Sequence, residues 1–206
     1  MFSRRLSLLW ALLTFLPAPS DSQPLQGKPA WINDMRLGGY VIVLRHGATV
    51  SDDAKIDSMS SQARFGERQL NAQGRAQAQA IGESMRKLGI PVDIILTSTI
   101  QRAVDTGTLL GFGPVTPTPD LAEGASPDER DRRAVAFRKL VAMPPPADNN
   151  TVIVSHRPNI VDAFGQDWSD VREGEESVFE PDRHGGYRLI ARIQTADWTT
   201  WAQTSD

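Results

Sequence analysis

The sequence has the composition of a single globular domain with a hydrophobic core. Of its 206 residues, 40% are hydrophobic and 23% are charged, and the formal charge of −3 comes without a long basic run. This composition argues against nucleic-acid binding and favours a small-molecule partner. The chain contains no cysteine, which excludes disulfides, thiol catalysis and zinc bound by thiolates.

The first 20 residues predict a secretory signal peptide. Arg4 and Arg5 precede an apolar run at residues 6–16, and Ala18 and Ser20 are small residues of the kind that signal peptidase accepts. The run is shorter than the ~20 residues that cross a bilayer, and an uncleaved membrane anchor is the alternative. We therefore expect a periplasmic or secreted protein without stable membrane insertion after cleavage, the exact cleavage site staying open.

Residues 21–38 are interpreted as an N-terminal lead-in, and residues 39–206 as the functional domain. Short runs rich in Val and Ile predict strands at 40–44, 92–96, 115–117 and 151–154. Between them, helical patterns occur at 71–89, 99–111 and 126–143. This alternation predicts an α/β fold, a three-layer α/β/α sandwich with a mainly parallel sheet.

Two local patterns complete the predicted elements. In the helix at 126–143, Ser126 is expected to be the N-cap and Pro127 the first helical residue. Near the C-terminus, residues 177–179 and 187–193 predict two further strands joined by a turn.

Polar side chains follow three of the predicted strands. Arg45 and His46 follow the first strand, Arg102 comes after the second, and His156 follows the strand at 151–154. Taken singly, each is more often a solvated charge or a structural histidine. Because the carboxyl ends of parallel strands meet at one edge of a sheet, their common placement predicts a single site.

Two arginines and two histidines at one edge are typical of a site that binds a phosphoryl group. Guanidinium groups match phosphate oxygens bidentately, and an unprotonated imidazole can accept the phosphoryl group covalently. Neighbouring guanidinium groups favour the neutral imidazole, since they disfavour a further positive charge. Gly47 is expected to let the backbone turn sharply and to leave room for the phosphate.

The stretches LRHGAT, STIQRAVDTG and VSHRPNI resemble the motifs of the histidine phosphatase superfamily, whose fold is phosphoglycerate mutase-like. The resemblance extends over residues 39–193. It implies that His46 is the nucleophile that becomes phosphohistidine and that Arg45 and Arg102 bind phosphate oxygens. It also implies that His156 contacts the phosphoryl group and stabilises its charge in the transition state. No metal and no cofactor are implied.

Two further residues are candidates for the site. Thr49 stands where the family often has a hydroxyl residue, and it is expected either to bind the substrate or to stabilise the turn. Glu123 stands where one branch of the family places its general acid, and its Leu-x-Glu spacing favours it over nearby Asp120. The acid role would require burial to raise the pKa of Glu123, and a solvated loop carboxylate is the alternative.

Other stretches depart from the family or extend the resemblance. Ala48 stands where mutases usually carry a glutamate, which argues against phosphoglycerate recognition, and Arg157 stands where the other branch carries an acid. The polar segment 51–68 is long for a loop and is a candidate cover for the site. The stretch EGE at 173–175 resembles one in small bacterial members, so we expect Gly174 and Glu175 to approach the site.

Together these features predict a phosphomonoester hydrolase that acts on a small phosphorylated substrate through phosphohistidine at His46. A phosphotransferase or phosphohistidine-protein phosphatase on the same fold is one alternative, and a non-catalytic phosphate-binding protein is another. The physiological substrate and the oligomeric state stay open at this stage.

Overall fold

Helices and strands alternate along the computed structural model, which describes residues 27–50, 67–182 and 184–204. The strands among these residues are β1 (Val41–Arg45), β2 (Val92–Ser98), β3 (Thr116–Thr118), β4 (Asn150–Ser155), β5 (Glu176–Pro181) and β6 (Tyr187–Ile193). The α-helices are α1 (Trp31–Met35), α2 (Ala72–Lys87), α3 (Gln101–Leu109), α4 (Pro127–Val141), α5 (Arg157–Phe164) and α6 (Thr195–Trp201). The predicted signal peptide at residues 1–20 lies outside the described residues.

The strands form one six-stranded sheet in the order β3-β2-β4-β1-β5-β6. The first four strands in this order run parallel to one another, and β5 and β6 form an antiparallel hairpin beside β1. Each of the six predicted strands overlaps an observed one. The mainly parallel sheet is therefore confirmed, and β1 and β4 occupy its middle.

Helices cover both faces of the sheet, which confirms the three-layer sandwich. Along β1, Ile42 and Leu44 pack with helices α1, α2, α3 and α6, whereas Val41 and Val43 pack with α4 and α5. All four side chains are buried. This double burial explains why the first strand is a continuous apolar run in the sequence, since neither of its faces contacts water.

The helix ends follow from capping residues. Ser126 precedes α4 and its hydroxyl accepts a hydrogen bond from the backbone N–H of Glu129 at 3.3 Å, with Pro127 in the first turn, as predicted. Asn71 caps α2 in the same manner, accepting from the N–H of Gly74 at 2.8 Å. None of the described helices is long and apolar enough to cross a membrane.

Helix α1 begins before residue 39, the predicted start of the domain. Ile32 and Met35 are fully buried, and the Trp31 ring meets the edge of Trp201 in α6 with centroids 5.6 Å apart. The folded unit therefore includes part of the segment that the sequence assigned to a lead-in. The sequence could not predict this helix, because five residues are too few to show a helical period. Its stability comes from the burial of Ile32 and Met35 rather than from local helix propensity.

A carboxyl group is buried in the sheet at Glu176 of β5. Its side chain is 0% exposed, and neither oxygen makes a hydrogen bond of normal geometry. Burial raises the pKa of Glu176 well above its ordinary value, and the neighbouring Glu175 and Asp197 raise it further. The indole N–H of Trp198 opposes this shift but by less than burial. The folded protein therefore binds the Glu176 proton more tightly than the unfolded chain does.

Glu176→Gln is expected to stabilise the protein progressively as the pH rises above the ordinary carboxyl pKa of 4.5. Because the folded pKa is raised, the parent's free energy of unfolding falls in this range by up to about 1.4 kcal/mol per pH unit, and an amide has no proton to lose. Urea unfolding at several pH values measures the difference. Glu180→Gln on the same strand is the matched control. A parent-to-variant difference that does not change with pH would contradict the prediction.

Candidate active site

The site lies at the carboxyl ends of three neighbouring parallel strands. Arg45 is the last residue of β1 and His46 follows it, while His156 follows β4, and the backbone N–H of His46 donates to the carbonyl of Ser155 at 3.1 Å. Arg102 lies in the first turn of α3, which follows β2. The structure therefore brings the predicted arginines and histidines together because β2, β4 and β1 are adjacent.

The His46 ring is held in one orientation and one tautomer. Its Nδ1 lies 2.8 Å from the carbonyl oxygen of Gly47, and its Nε2 lies 3.1 Å from Nε of Arg102. A guanidinium group can only donate, so Nε2 is the acceptor and Nδ1 carries the proton that binds Gly47. The lone pair on Nε2 consequently faces the arginine side of the site.

His46 is a neutral imidazole across the physiological pH range. The side chain is 2% exposed, and this burial lowers the pKa of His46 to about 3. The positive charges of Arg102 and Arg45 lower it further, whereas the hydrogen bond to Gly47 opposes the shift. An unprotonated ring nitrogen is what nucleophilic attack requires.

The second histidine lies beside the first. The ring centroids of His46 and His156 are 5.2 Å apart, and His156 is fully buried. Burial and the charge of Arg102 hold the pKa of His156 well below its ordinary value. Neither ring nitrogen makes a hydrogen bond within the described protein, and Nδ1 lies 3.5 Å from a carboxyl oxygen of Glu123. A buried polar ring of this kind is ready to bind a polar ligand.

Arg102 connects the histidines to Glu123. Its Nη2 lies 2.5 Å from Oε1 of Glu123, and its side chain is 8% exposed. Burial lowers the pKa of Arg102, and the negative charge of Glu123 opposes that shift. The Glu123 side chain is 41% exposed. The acid role of Glu123 was expected to require burial, whereas the structure leaves its carboxyl partly exposed and pairs it with Arg102.

The loop that carries Glu123 is anchored from two sides. Asn159 Nδ2 donates to the carbonyl of Ala122 at 2.6 Å, and Arg133 Nη1 donates to the same carbonyl at 2.7 Å. Arg133 also donates to the carbonyl of Glu123 at 2.6 Å. These contacts fix the backbone on both sides of the candidate acid, so its position does not depend on the loop alone.

Glu173 belongs to the EGE stretch at 173–175, but the sequence did not indicate its contacts with Thr49 and Arg45. Its Oε1 accepts a hydrogen bond from Oγ1 of Thr49 at 2.9 Å and lies 3.5 Å from Nη2 of Arg45. Arg45 also donates through Nη1 to the carbonyl of Val171 at 2.7 Å, while its buried Nε has no partner among the described residues. Thr49 was expected either to bind the substrate or to stabilise the turn, and its hydroxyl instead holds the carboxylate that orients Arg45. Nε of Arg45 is free to donate to a ligand.

The rest of the 173–175 stretch supports the nucleophile's backbone. The N–H of Gly174 lies 3.1 Å from the carbonyls of both Arg45 and His46. Glu175 is buried and accepts a hydrogen bond from Nε of Arg192 at 2.6 Å, and its own carbonyl accepts from the N–H of Arg45 at 3.0 Å. Gly174 and Glu175 thus approach the site through backbone contacts.

Gly47 is required for a different reason from the one expected. Its backbone φ does not lie in the left-handed region, so no sharp turn depends on it. A Cβ added at Gly47 would lie 2.6 Å from the carbonyl oxygen of Gly74, and a Cβ at Gly74 would lie 2.1 Å from that of Ala48. The two glycines therefore let the loop of His46 pack directly on the start of α2.

The segment 51–68, predicted to be a cover for the site, lies mostly outside the described residues. Of the predicted cover at 51–68, only Glu67 and Arg68 belong to the described residues. Within the described part of the chain there is no group of three or more His, Cys, Asp or Glu side chains that could hold a metal ion.

Comparison with known families agrees with this geometry. Residues 41–125, from β1 to the loop of Glu123, match the model of the histidine phosphatase superfamily (branch 1). The segment that carries His46, Arg102 and Glu123 therefore has the sequence pattern of that superfamily. An uncharacterized protein from a Picosynechococcus species is 28% identical over 109 residues, which make up 50% of this chain and 65% of that protein. The match therefore spans less than two thirds of that relative.

Solved structures of phosphatases share the fold of this chain. The protein histidine phosphatase SixA, complexed with tungstate, superposes with a TM-score of 0.56 at 15% identity, covering 77% of this chain and 98% of that one. A phosphoserine phosphatase from Entamoeba histolytica, in complex with 3-phosphoglyceric acid, gives a TM-score of 0.55 at 16% identity, with coverage of 77% and 98%. At these identities the comparisons establish the architecture.

Both site histidines are expected to stay neutral down to about pH 5, because their burial lowers the pKa of each. Ring nitrogen chemical shifts measured by NMR across this range should show no charged form, and His46 should show the proton on Nδ1. Free imidazole in the same sample marks the ordinary range, and His46→Asn assigns the resonance. A His46 midpoint near the ordinary value of 6.5 would contradict the prediction.

Proposed function

We propose that this chain hydrolyses phosphomonoesters through a covalent phosphohistidine on Nε2 of His46. The observation that carries the proposal is the fixed, neutral ring of His46, whose acceptor nitrogen lies 3.1 Å from the Arg102 guanidinium in a buried site. A nucleophile in contact with a cation that binds phosphate is the pair that phosphoryl transfer needs.

The phosphoryl group would bind between the two arginines and the second histidine. Nε of Arg45 and both ring nitrogens of His156 are buried and unpartnered among the described residues. When the dianion enters, the Arg102 guanidinium exchanges its contact with His46 for the phosphate oxygens, which frees Nε2 to attack. His156 then donates its single ring proton to an oxygen of the transferring group.

In the first step, Nε2 of His46 forms a bond to phosphorus while the ester P–O bond breaks. The positive charge that develops on the ring is stabilised by its hydrogen bond from Nδ1 to the Gly47 carbonyl. Glu123, in its protonated form, gives a proton to the leaving oxygen. Oε1 of Glu123 lies 2.5 Å from Nη2 of Arg102, so the carboxyl is beside the guanidinium that would hold the phosphoryl group.

In the second step, water attacks phosphorus and the N–P bond breaks. Glu123, now a carboxylate, accepts a proton from that water, so inorganic phosphate leaves and His46 returns to its neutral form. The positive charge in this scheme comes from guanidinium groups, and we propose that the reaction is independent of metal ions. The predicted signal peptide supports a location in the periplasm or outside the cell.

A phosphotransferase or a phosphohistidine-protein phosphatase would use the same phosphoenzyme and would differ in its acceptor or donor. The solved SixA structure is that of a protein histidine phosphatase. A non-catalytic phosphate-binding protein would keep the anion site without forming the covalent intermediate. We favour the hydrolase because Glu123 lies 3.5 Å from His156, where it can serve a leaving group that needs a proton.

Replacing His46 tests the covalent step directly. His46→Asn is expected to lower the hydrolysis of p-nitrophenyl phosphate by at least about 1,000-fold, because the nucleophile is lost. Mass spectrometry after an alkaline quench should detect one phosphate on a peptide of the parent that contains His46. His184→Asn, in an exposed turn, is the matched control, and circular dichroism checks the fold. A phosphorylated parent peptide that lacks His46 would contradict the proposal.

The role of Glu123 is tested by changing the leaving group. Glu123→Gln is expected to slow hydrolysis of an alkyl phosphate by about 100-fold or more, since a general acid contributes at least that factor. p-Nitrophenol leaves as an anion, so its phosphate ester should lose much less. Kinetics with both esters, beside the exposed variant Glu83→Gln, make the comparison. Equal losses for both esters would show that Glu123 acts by orienting Arg102 rather than by moving a proton.

A further inference from the structure

The segment 171–175, which precedes β5, holds both the side chain and the backbone of Arg45. Nη1 of Arg45 donates to the carbonyl of Val171 at 2.7 Å, and Nη2 lies 3.5 Å from Oε1 of Glu173. The backbone N–H of Arg45 donates to the carbonyl of Glu175 at 3.0 Å. Among the described residues, every side-chain hydrogen bond and ion pair of Arg45 goes to this segment. The direction of the Arg45 guanidinium group therefore depends on where the segment lies.

The segment is in turn held by a buried carboxylate. Glu175 is 2% exposed, and both of its oxygens accept hydrogen bonds. Oε1 lies 2.6 Å from Nε and 2.5 Å from Nη2 of Arg192. Oε2 accepts from Nε2 of Gln194 at 2.7 Å and from the backbone N–H of Arg172 at 3.0 Å. The nearby cation and these donors compensate the carboxylate for its lost water.

Arg192, on β6, also holds the chain that leads into the segment. Its Nη1 donates to the carbonyl of Asp167 at 2.9 Å, and its Nη2 donates to Oδ1 of Asp170 at 2.9 Å. Asp170 directly precedes the segment 171–175. One guanidinium group thus fixes the beginning of the segment directly and the end of the segment through Glu175.

This arrangement bears on how Arg45 binds an anion. The guanidinium fork matches phosphate oxygens in one plane, and ordering a side chain with many rotamers opposes binding. Because the carbonyl of Glu175 accepts from the N–H of Arg45, a displaced Glu175 would displace Arg45 as well. Among the described residues, the side chain of Arg192 donates only to groups within 167–175. Its influence on Arg45 therefore passes through this segment.

We propose that the buried ion pair of Glu175 and Arg192 positions Arg45 for phosphate, so that these two positioning residues set the affinity of the site for a phosphoryl group. This role rests on the proposed function, in which Arg45 is a phosphate ligand. It concerns binding, and it can be tested without turnover.

Calorimetry with the full chain measures the binding of inorganic phosphate. Arg192→Gln is expected to raise the Kd at least about tenfold, the factor that one hydrogen bond to a charged group contributes. Arg192→Lys keeps a charge beside Glu175 without the fork, so it should fold even if Arg192→Gln does not, and its Kd should also rise. Arg188→Gln is the matched control, since Arg188 pairs with Glu180 across the same two strands. This control should keep the Kd of the parent.

A double-mutant cycle with Arg45→Gln distinguishes positioning from a general loss of stability. If Arg192 acts through Arg45, the Arg192→Lys change should have little further effect on the phosphate Kd once Arg45 is replaced. An equal effect with and without Arg45 would overturn the proposal. So would a merely structural effect, in which fewer molecules bind phosphate but those that bind keep the parent's Kd.

Hydrolysis of p-nitrophenyl phosphate by the same proteins distinguishes this role from the proposed hydrolase. A parent that hydrolyses no ester, but whose phosphate affinity depends on Arg192 through Arg45, would overturn the hydrolase and support the positioning. An active parent whose phosphate Kd is unchanged by either Arg192 variant would overturn the positioning alone. A parent that binds no phosphate would overturn both.

Discussion

The hydrogen bond from Nδ1 of His46 to the carbonyl of Gly47 is the constraint on which the rest of the site depends. It fixes the tautomer, and so it decides that Nε2 is the nitrogen with a free lone pair. For the bond to hold its direction, the Gly47 peptide must itself be fixed. The hydroxyl of Thr106 accepts from the Gly47 N–H at 3.1 Å, and the packing on Gly74 completes its support. The orientation of one imidazole thus follows from contacts made by its neighbour's backbone.

The second organising feature is the pairing of each phosphate-binding arginine with a carboxylate. Glu173 faces Arg45, and Glu123 faces Arg102. Without an anion in the site, these pairs limit the repulsion between two buried guanidinium groups. With an anion in the site, the guanidinium groups have donors to spare, because each carboxylate uses only part of the fork. Glu173 and Glu123 thus reduce the repulsion in the empty site and still leave guanidinium donors for a phosphate.

Sequence reasoning succeeded where the physical cause was local or set by strand order. Arg45, His46, Arg102 and His156 could be grouped because polar residues that follow parallel strands meet at one edge. Glu173 could not, since its partner Thr49 lies 124 positions away in the chain. The packing of Gly47 on Gly74 could not be predicted either, because such a contact leaves no trace in a single sequence. Helices α1, α5 and α6 have at most eight residues, which is too few for a clear periodicity.

The contact between the His46 loop and α2 has a consequence for how this protein can be altered. Because a Cβ at Gly74 would lie 2.1 Å from the carbonyl oxygen of Ala48, the backbones of the loop and the helix leave no room for a side chain between them. The position of the nucleophile therefore depends on two residues without side chains, Gly47 and Gly74, which lie outside the set of groups that would contact a substrate. An engineer seeking a new substrate range would leave this glycine pair untouched, so that the nucleophile keeps its place.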